Sequence, residues 1–258
     1  MPSDLHALVA GFADVAAVYE RGRPDYPPAL VDRVVTELGV TRSHPPPRVL
    51  DLGAGTGKLT RPLVAAGLDV VAVEPMARMR AALAAAVDAE RALDGRAEAL
   101  PLADASLDGA VCGEAFHWFD GERAAAELHR VLRPGAGLVL SWLENQTADQ
   151  PQWGEEIIAL LRPLWERAHH PGIIVGRRGE AVAEHPGFAP VRRVELFFDD
   201  EVDRDGLVAW FASFSVVGAL PDPERAEMLA RIAEILDRHG IDRATRSWRA
   251  DLWVTRRR

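Results

Sequence analysis

Two acidic side chains and a run of alternating glycines carry the densest chemical signal in this chain of 258 residues. Asp51-Leu52-Gly53-Ala54-Gly55-Thr56-Gly57 follows a short apolar run, and Glu74 closes the next such run. Glycines at alternate positions let a backbone turn tightly, and they let a ligand lie against it with no Cβ in the way. A carboxylate at the end of a second strand can accept both hydroxyls of a ribose. A third chemical group lies further along. Ala115-Phe116-His117-Trp118-Phe119 sets a histidine, a side chain that titrates near neutrality, among aromatic rings. His117 can act as a general base or can position and pack beside Trp118. Both roles stay open on sequence grounds.

Three nucleotide-type loops compete for the glycine segment. A phosphate loop needs Gly-x-x-x-x-Gly-Lys-Ser/Thr. Leu52 stands where its first glycine should be, and Leu59 replaces its hydroxyl, so this reading fails. The dinucleotide fingerprint needs Gly-x-Gly-x-x-Gly. Its third glycine comes one residue early here, at Gly57, with Lys58 in its place, which weakens that reading. An acidic-x-Gly-x-Gly-x-Gly loop, the pattern that holds S-adenosylmethionine, fits at every position from Asp51 to Gly57. Glu74 suits either adenosine-containing cofactor and does not separate them.

The surrounding pattern supplies the elements to position these groups. Helices are expected over Pro27 to Leu38, stopped by Gly39, over Lys58 to Ala66, over Met76 to Arg91 and over Gly121 to Leu132. Strands are expected over Arg48 to Leu52, Leu68 to Val73, Leu107 to Cys112 and Gly137 to Trp142. This alternation is the mark of a parallel sheet with crossover helices. After Leu143 the pattern changes. Helices are expected at Pro151 to Arg167, Asp205 to Phe214 and Pro223 to His239, with strands at Val191 to Phe198 and Ser247 to Thr255. The expected fold is therefore α/β: a doubly wound, Rossmann-like sheet with a helical cap from the C-terminal half. Residues 1–143 would form the N-terminal helices and cofactor core, and 144–258 the cap and last strands, in one integrated domain.

Composition narrows the partners. A net charge of −9 disfavours nucleic acid and anionic membrane. The arginines gathered at 243, 246, 249 and 256–258 read as a solvated tail, and Lys58 as a solvated residue. Cys112 stands alone, so no internal disulfide or cysteine-held zinc is expected. His169-His170 have no ligand partners at metal spacing, and no metal is expected. Met1 to Ala10 lacks the features of a signal peptide. The longest uncharged apolar stretch, Gly206 to Leu220, is shorter than the ~20 residues of a spanning helix and reads as one buried helix. A cytoplasmic monomer or homodimer is expected. Tryptophans 142, 153, 165 and 210 are expected in the core or in an aromatic pocket.

Taken in order, these segments resemble the class I S-adenosylmethionine-dependent methyltransferases, near the small-molecule branch of trans-aconitate-type enzymes. The likeness runs over nearly the whole chain. Phe12-Ala13 to Tyr19 and Arg23-Pro24-Asp25-Tyr26-Pro27 resemble that branch's N-terminal signature. Asp51 to Gly57, Val73-Glu74-Pro75 with Met79, Ala97 to Leu102, Leu107-Asp108 and Ala115 to Phe119 resemble successive family motifs. Ser213 to Ser215, Leu220-Pro221 and Glu224-Arg225 resemble the branch's C-terminal half.

The resemblance implies S-adenosylmethionine as cofactor. Asp51, Gly53, Ala54, Gly55, Thr56 and Gly57 would line its methionine and ribose side, with Glu74 and Pro75 at the ribose, Met79 on adenine, and Ala97 and Glu98 at the adenine edge. Tyr19 and Arg23 would close over the methionyl end, and Glu114 would complete the cofactor set. Arg96 departs from the pattern, since many relatives carry an aspartate there. Phe116, His117, Trp118 and Glu144 would border a small-molecule acceptor, with His117 as the candidate catalytic group. Methyl transfer is the expected activity. A cyclisation or decarboxylation on the same cofactor, a nicotinamide oxidoreductase and a non-catalytic cofactor sensor are the alternatives.

Overall fold

The computed structural model describes residues 16–41, 43–146, 152–168 and 178–258. Phe12-Ala13, the first ten residues and His169-His170 lie outside the described residues. Contacts divide the chain into two units. One holds residues 25–144, 172–196 and 249–258, and the other holds 1–24, 145–171 and 197–248.

The larger unit carries the glycine loop. Its first helix is that of Pro28–Leu38 (α2), numbered after α1 (Ala16–Gly22) of the other unit. Pro28 at its first position suits a fixed φ and a missing N–H. Gly39 ends it in the left-handed conformation, φ 68°, donating to Thr36 O. Then follow β1 (Arg48–Leu52), α3 (Thr60–Ala65), β2 (Asp69–Val73), α4 (Ala77–Ala86), the two-residue β3 (Ala92–Leu93), β4 (Leu107–Gly113), α5 (Gly121–Val131) and β5 (Leu132–Asn145). After α6 (Gln152–Ala168) of the smaller unit come α7 (Glu180–Glu184) and β6 (Arg192–Asp203). The chain ends with α8 (Arg204–Ala212), α9 (Ser215–Gly218), α10 (Asp222–Arg238) and β7 (Arg243–Arg256).

The seven strands run in the order β3-β2-β1-β4-β5-β7-β6. β3, β2, β1, β4 and β5 are parallel neighbours. Strands with helices on both sides bury both faces, so β1 and β2 are runs of apolar residues rather than alternations. Leu50, Leu52, Val73, Ala110, Leu128, Leu138 and Leu140 form the heart of this core. The pairing Asp51↔Ala72 and Asp51↔Val111 places the end of β1 between those of β2 and β4. The glycine loop therefore leaves the sheet at its middle, where ligands of open α/β sheets bind.

The smaller unit is mainly helical. α1 lies so close on α8 that a Cβ on Gly22 would meet Ala209 O at 2.3 Å. Trp210, Phe211, Phe214 and Trp248 form an aromatic cluster with edge contacts of 5.6 Å between Trp210 and both Phe214 and Trp248.

Several elements differ from the sequence expectation. The stretch Gly206 to Leu220 is two helices, because Phe214 turns extended (ψ 133°) and Ser213 Oγ caps Trp210 O. The helix expected over Met76 to Arg91 stops at Ala86, where Val87 goes extended, and one 3₁₀ turn leads into β3. β5 begins directly after α5 and runs through Pro134-Gly135, since Leu132 pairs with Leu107 of β4. The C-terminal arginines belong to a strand and its end rather than a tail, although Arg243, Arg256 and Arg258 are exposed. β7 sets them against partners: Arg246 is 4% exposed and bonded to Asp200, Arg249 pairs with Glu144, and Arg256 donates to Leu38 O.

Candidate active site

Three strand ends build the site. Gly53 N and Ala54 N both donate to Val73 O, at 2.9 and 3.2 Å, which ties the loop after β1 to the last residue of β2. Gly53, Gly55 and Gly57 all have positive φ, at 69°, 58° and 90°. A Cβ on Gly53 would meet Ala115 Cβ at 2.6 Å, and one on Gly57 would meet Leu83 at 2.7 Å. Gly55 is different. A Cβ there meets nothing within 4 Å, so space stands open over the middle of the loop.

Glu74, 5% exposed, reaches into this loop. Its Oε2 accepts from Gly55 N and its Oε1 from Met76 N, both at 2.9 Å. Burial raises its carboxyl above the usual range, and those two N–H groups offset part of the rise. A carboxylate offers about four acceptor positions. Two of these are taken by the two N–H groups. Asp51 is 1% exposed and accepts from Thr60 Oγ1 at 2.6 Å. Its carboxyl is raised to about 7: burial is the largest cause, the Thr60 hydrogen bond opposes it, and the charge of Glu74 adds to it. Asp51 therefore fastens the loop to α3 from beneath. Thr56, also buried, has its carbonyl bonded by Arg61 at 3.3 Å.

Lys58 is a correction to the sequence reading. Its side chain is 10% exposed, and its Nζ lies 2.6 Å from Asp25 Oδ1. Local sequence marked it as solvated, but its partner sits 33 residues away. Next to Asp25, the Tyr26 hydroxyl stands over the end of β4, 2.5 Å from where a Gly113 Cβ would be. Both residues belong to the signature segment, yet neither was singled out from sequence as a site residue.

Met79 is 3% exposed on α4, whereas half-buried Met76 follows Glu74 and donates to it. Pro75 between them is exposed. Ala97 is buried in the core, and Glu98 accepts from Asp120 N at 2.9 Å, at the start of α5. Glu114 follows β4 with φ 58°, rare for a residue with a side chain, and its carboxylate accepts from Leu143 N. Tyr19 and Arg23 belong to the smaller unit. There the Arg23 guanidinium sits 5.5 Å from the Tyr19 ring and 5.6 Å from the Phe214 ring. Its buried Nε has no hydrogen-bond partner among the described residues.

His117 lies in a 3₁₀ turn, Phe116–Trp118, with its ring 5.1 Å from that of Trp118. A pocket of about 310 Å³ is lined by Phe116, His117, Phe119 and the acidic residues Asp120, Glu122, Glu180 and Glu184. Trp118 and Glu144 do not line it. Glu144 is instead locked between Arg178 and Arg249. Burial would raise its carboxyl, but the two guanidiniums outweigh burial and hold it below the usual range. That suits a permanent anion and not a base. Among the described residues no group of His, Cys, Asp and Glu could hold a metal ion, and no helix is long and apolar enough to cross a membrane.

Comparison with known proteins agrees with this geometry. A family model described as "Methyltransferase domain" matches residues 50–140. An uncharacterized methyltransferase of Mycobacterium tuberculosis is 37% identical over 232 residues, 88% of this chain and 86% of that protein. A malonyl-[acyl-carrier protein] O-methyltransferase of Methylococcus capsulatus is 33% identical over 223 residues, 81% and 74% of the two chains. The solved structure of a type II methyltransferase from Anaeromyxobacter dehalogenans superposes with a TM-score of 0.64 at 26% identity, over 91% of this chain and 97% of that one. Glycine loop, buried carboxylate at the end of β2 and strand order together with these likenesses lead to one conclusion: the chain belongs to the class I S-adenosylmethionine-dependent methyltransferases and is a methyltransferase enzyme.

Proposed function

We propose that this methyltransferase belongs to the small-molecule, trans-aconitate-type branch and methylates a small organic acceptor beside His117. The observation that carries the cofactor assignment is the open space over Gly55 with the Glu74 carboxylate fastened next to it. Gly53, Gly55 and Gly57 would hold the methionine and ribose side, Glu74 the ribose hydroxyls, Met76 or Met79 the adenine face, and Ala97 and Glu98 its edge.

The bound cofactor supplies an electrophilic methyl group. The protein's part is placement, since fixing two reactants in line can lower a barrier by roughly 7–11 kcal/mol. Asp51, Thr60 and Lys58 keep the loop rigid from below and from its flank. Glu144, ion-paired twice, takes no part in proton transfer on this reading.

The pocket beside His117 speaks to the acceptor. Asp120, Glu122, Glu180 and Glu184 ring it, and a polyanionic ligand would meet like charge there. The group that enters it is therefore neutral or cationic, which separates this chain from acceptors bearing several carboxylates. Calorimetric titration with S-adenosylhomocysteine, with NAD alongside, tests the cofactor. Micromolar binding of the first and none of the second is expected; the reverse overturns the reading. Methyl transfer is then compared for amine, alcohol and polycarboxylate acceptors of similar size, and a preference for the polycarboxylates overturns the pocket argument.

A further inference from the structure

Trp142 lies on β5 and is 4% exposed. Its Nε1 stands 3.1 Å from His117 Nδ1. An indole N–H can only donate, so Nδ1 must accept with its lone pair. A neutral imidazole carries one proton, and with Nδ1 accepting, that proton is on Nε2. The partner is itself held in place. Trp142 packs edge-on against Trp253 at 5.9 Å, and the Arg178 guanidinium sits 5.7 Å from its ring. Trp253 in turn donates to fully buried Asp251 at 3.3 Å.

We propose that Trp142 is a positioning residue that fixes His117 in its Nε2-protonated form, so that the ring offers the methyl acceptor a hydrogen-bond donor and is not its base. The proposal rests on the methyl-transfer reading for the acceptor, but the tautomer itself does not. Its consequence is a substrate class. The acceptor atom brings a lone pair that needs no deprotonation by this ring, such as that of an unprotonated amine. That lone pair forms the new bond to carbon, the electrons of the broken sulfur–carbon bond stay on sulfur, and no proton moves to His117. A neutral amine also agrees with the acidic pocket wall.

Long-range proton–nitrogen NMR on the full chain labelled with ¹⁵N-histidine tests this, with and without S-adenosylhomocysteine. His117→Gln identifies the signals by their loss. The expected spectrum shows His117 Nδ1 at the unprotonated position and Nε2 at the protonated one. In Trp142→Phe, which keeps an aromatic ring but removes the donor, the two nitrogen shifts should move toward each other as tautomers mix. Protonated Nδ1 in the parent protein overturns the proposal, and so does an unchanged spectrum in a folded Trp142→Phe. Where that variant fails to fold, the parent spectrum decides alone. Absence of S-adenosylhomocysteine binding in the same sample would sink the cofactor reading while leaving the tautomer result standing.

Discussion

Glu74 Oε2 accepts the backbone N–H of Gly55 at 2.9 Å, so the carboxylate that ends β2 is joined to the middle of the loop that follows β1. The same group holds the loop's shape and, on the proposed reading, would take the ribose hydroxyls. Glu74→Ala removes both functions at once. S-adenosylhomocysteine affinity should fall about tenfold or more, ~1.4 kcal/mol, read by calorimetry. An unchanged dissociation constant would take Glu74 out of the site.

The three loop glycines should separate under alanine substitution. Each sits at positive φ, which costs an ordinary residue roughly 1–2 kcal/mol. Gly53→Ala adds an overlap with Ala115, 2.6 Å from the new Cβ, and should melt at a clearly lower temperature. Gly55→Ala meets open space, so its stability loss should stay near the φ cost alone. Its cofactor binding should nonetheless collapse, because the methyl group would occupy the ligand's place. Thermal melts with calorimetry separate the two effects, and full binding by Gly55→Ala would contradict the cradle.

Asp51 predicts a pH dependence of stability. Its carboxyl rises from 3.8 in the unfolded chain to about 7 when buried. A raised carboxyl favours the folded state fully below 3.8, and that contribution is lost as pH rises through about 7. Asp51→Asn keeps the shape without the charge. The stability difference between variant and parent should therefore shift in the variant's favour, by a few kcal/mol at most, between pH 4 and pH 8 in urea titrations. A difference independent of pH would show that Asp51 is ionised throughout.

Arg246 should matter more than its place near the C-terminus suggests. It bonds Asp200 with both ends of its guanidinium, donates to Gly22 O at 2.8 Å, and lies 5.2 Å from the Trp210 ring. Arg246→Leu leaves Asp200 with the Trp248 indole N–H as its remaining donor and should cost roughly 2 kcal/mol, and Arg246→Lys should recover little of it, since lysine cannot make the paired fork. Denaturant melts of the two variants check this; a lysine variant as stable as the parent would refute it.

The elements that carry the candidate site could be read from local residue order. β1 spans Arg48–Leu52, as its apolar run implies, and the alternating glycines fall in the turn that follows it, all three at positive φ. What failed had distant partners. Lys58 finds Asp25, Arg249 finds Glu144 across 105 residues, and Arg246 finds Asp200 across 46. Glu144 looked like a pocket residue because it follows a strand, and only its two arginines make it a fixed ion pair. Met76 and Met79 are three apart on one stretch, so order alone does not say which is buried.

The residue order by itself determined the alternation of strand and helix, the glycine turn and the family, because each is written in short-range spacing: period, glycine placement, a carboxylate at a strand end. The tertiary structure decided which charges are neutralised and which proton His117 carries. Those depend on sheet register, which brings Trp142 to His117 across 25 residues and sets a donor-only indole against one nitrogen of the ring.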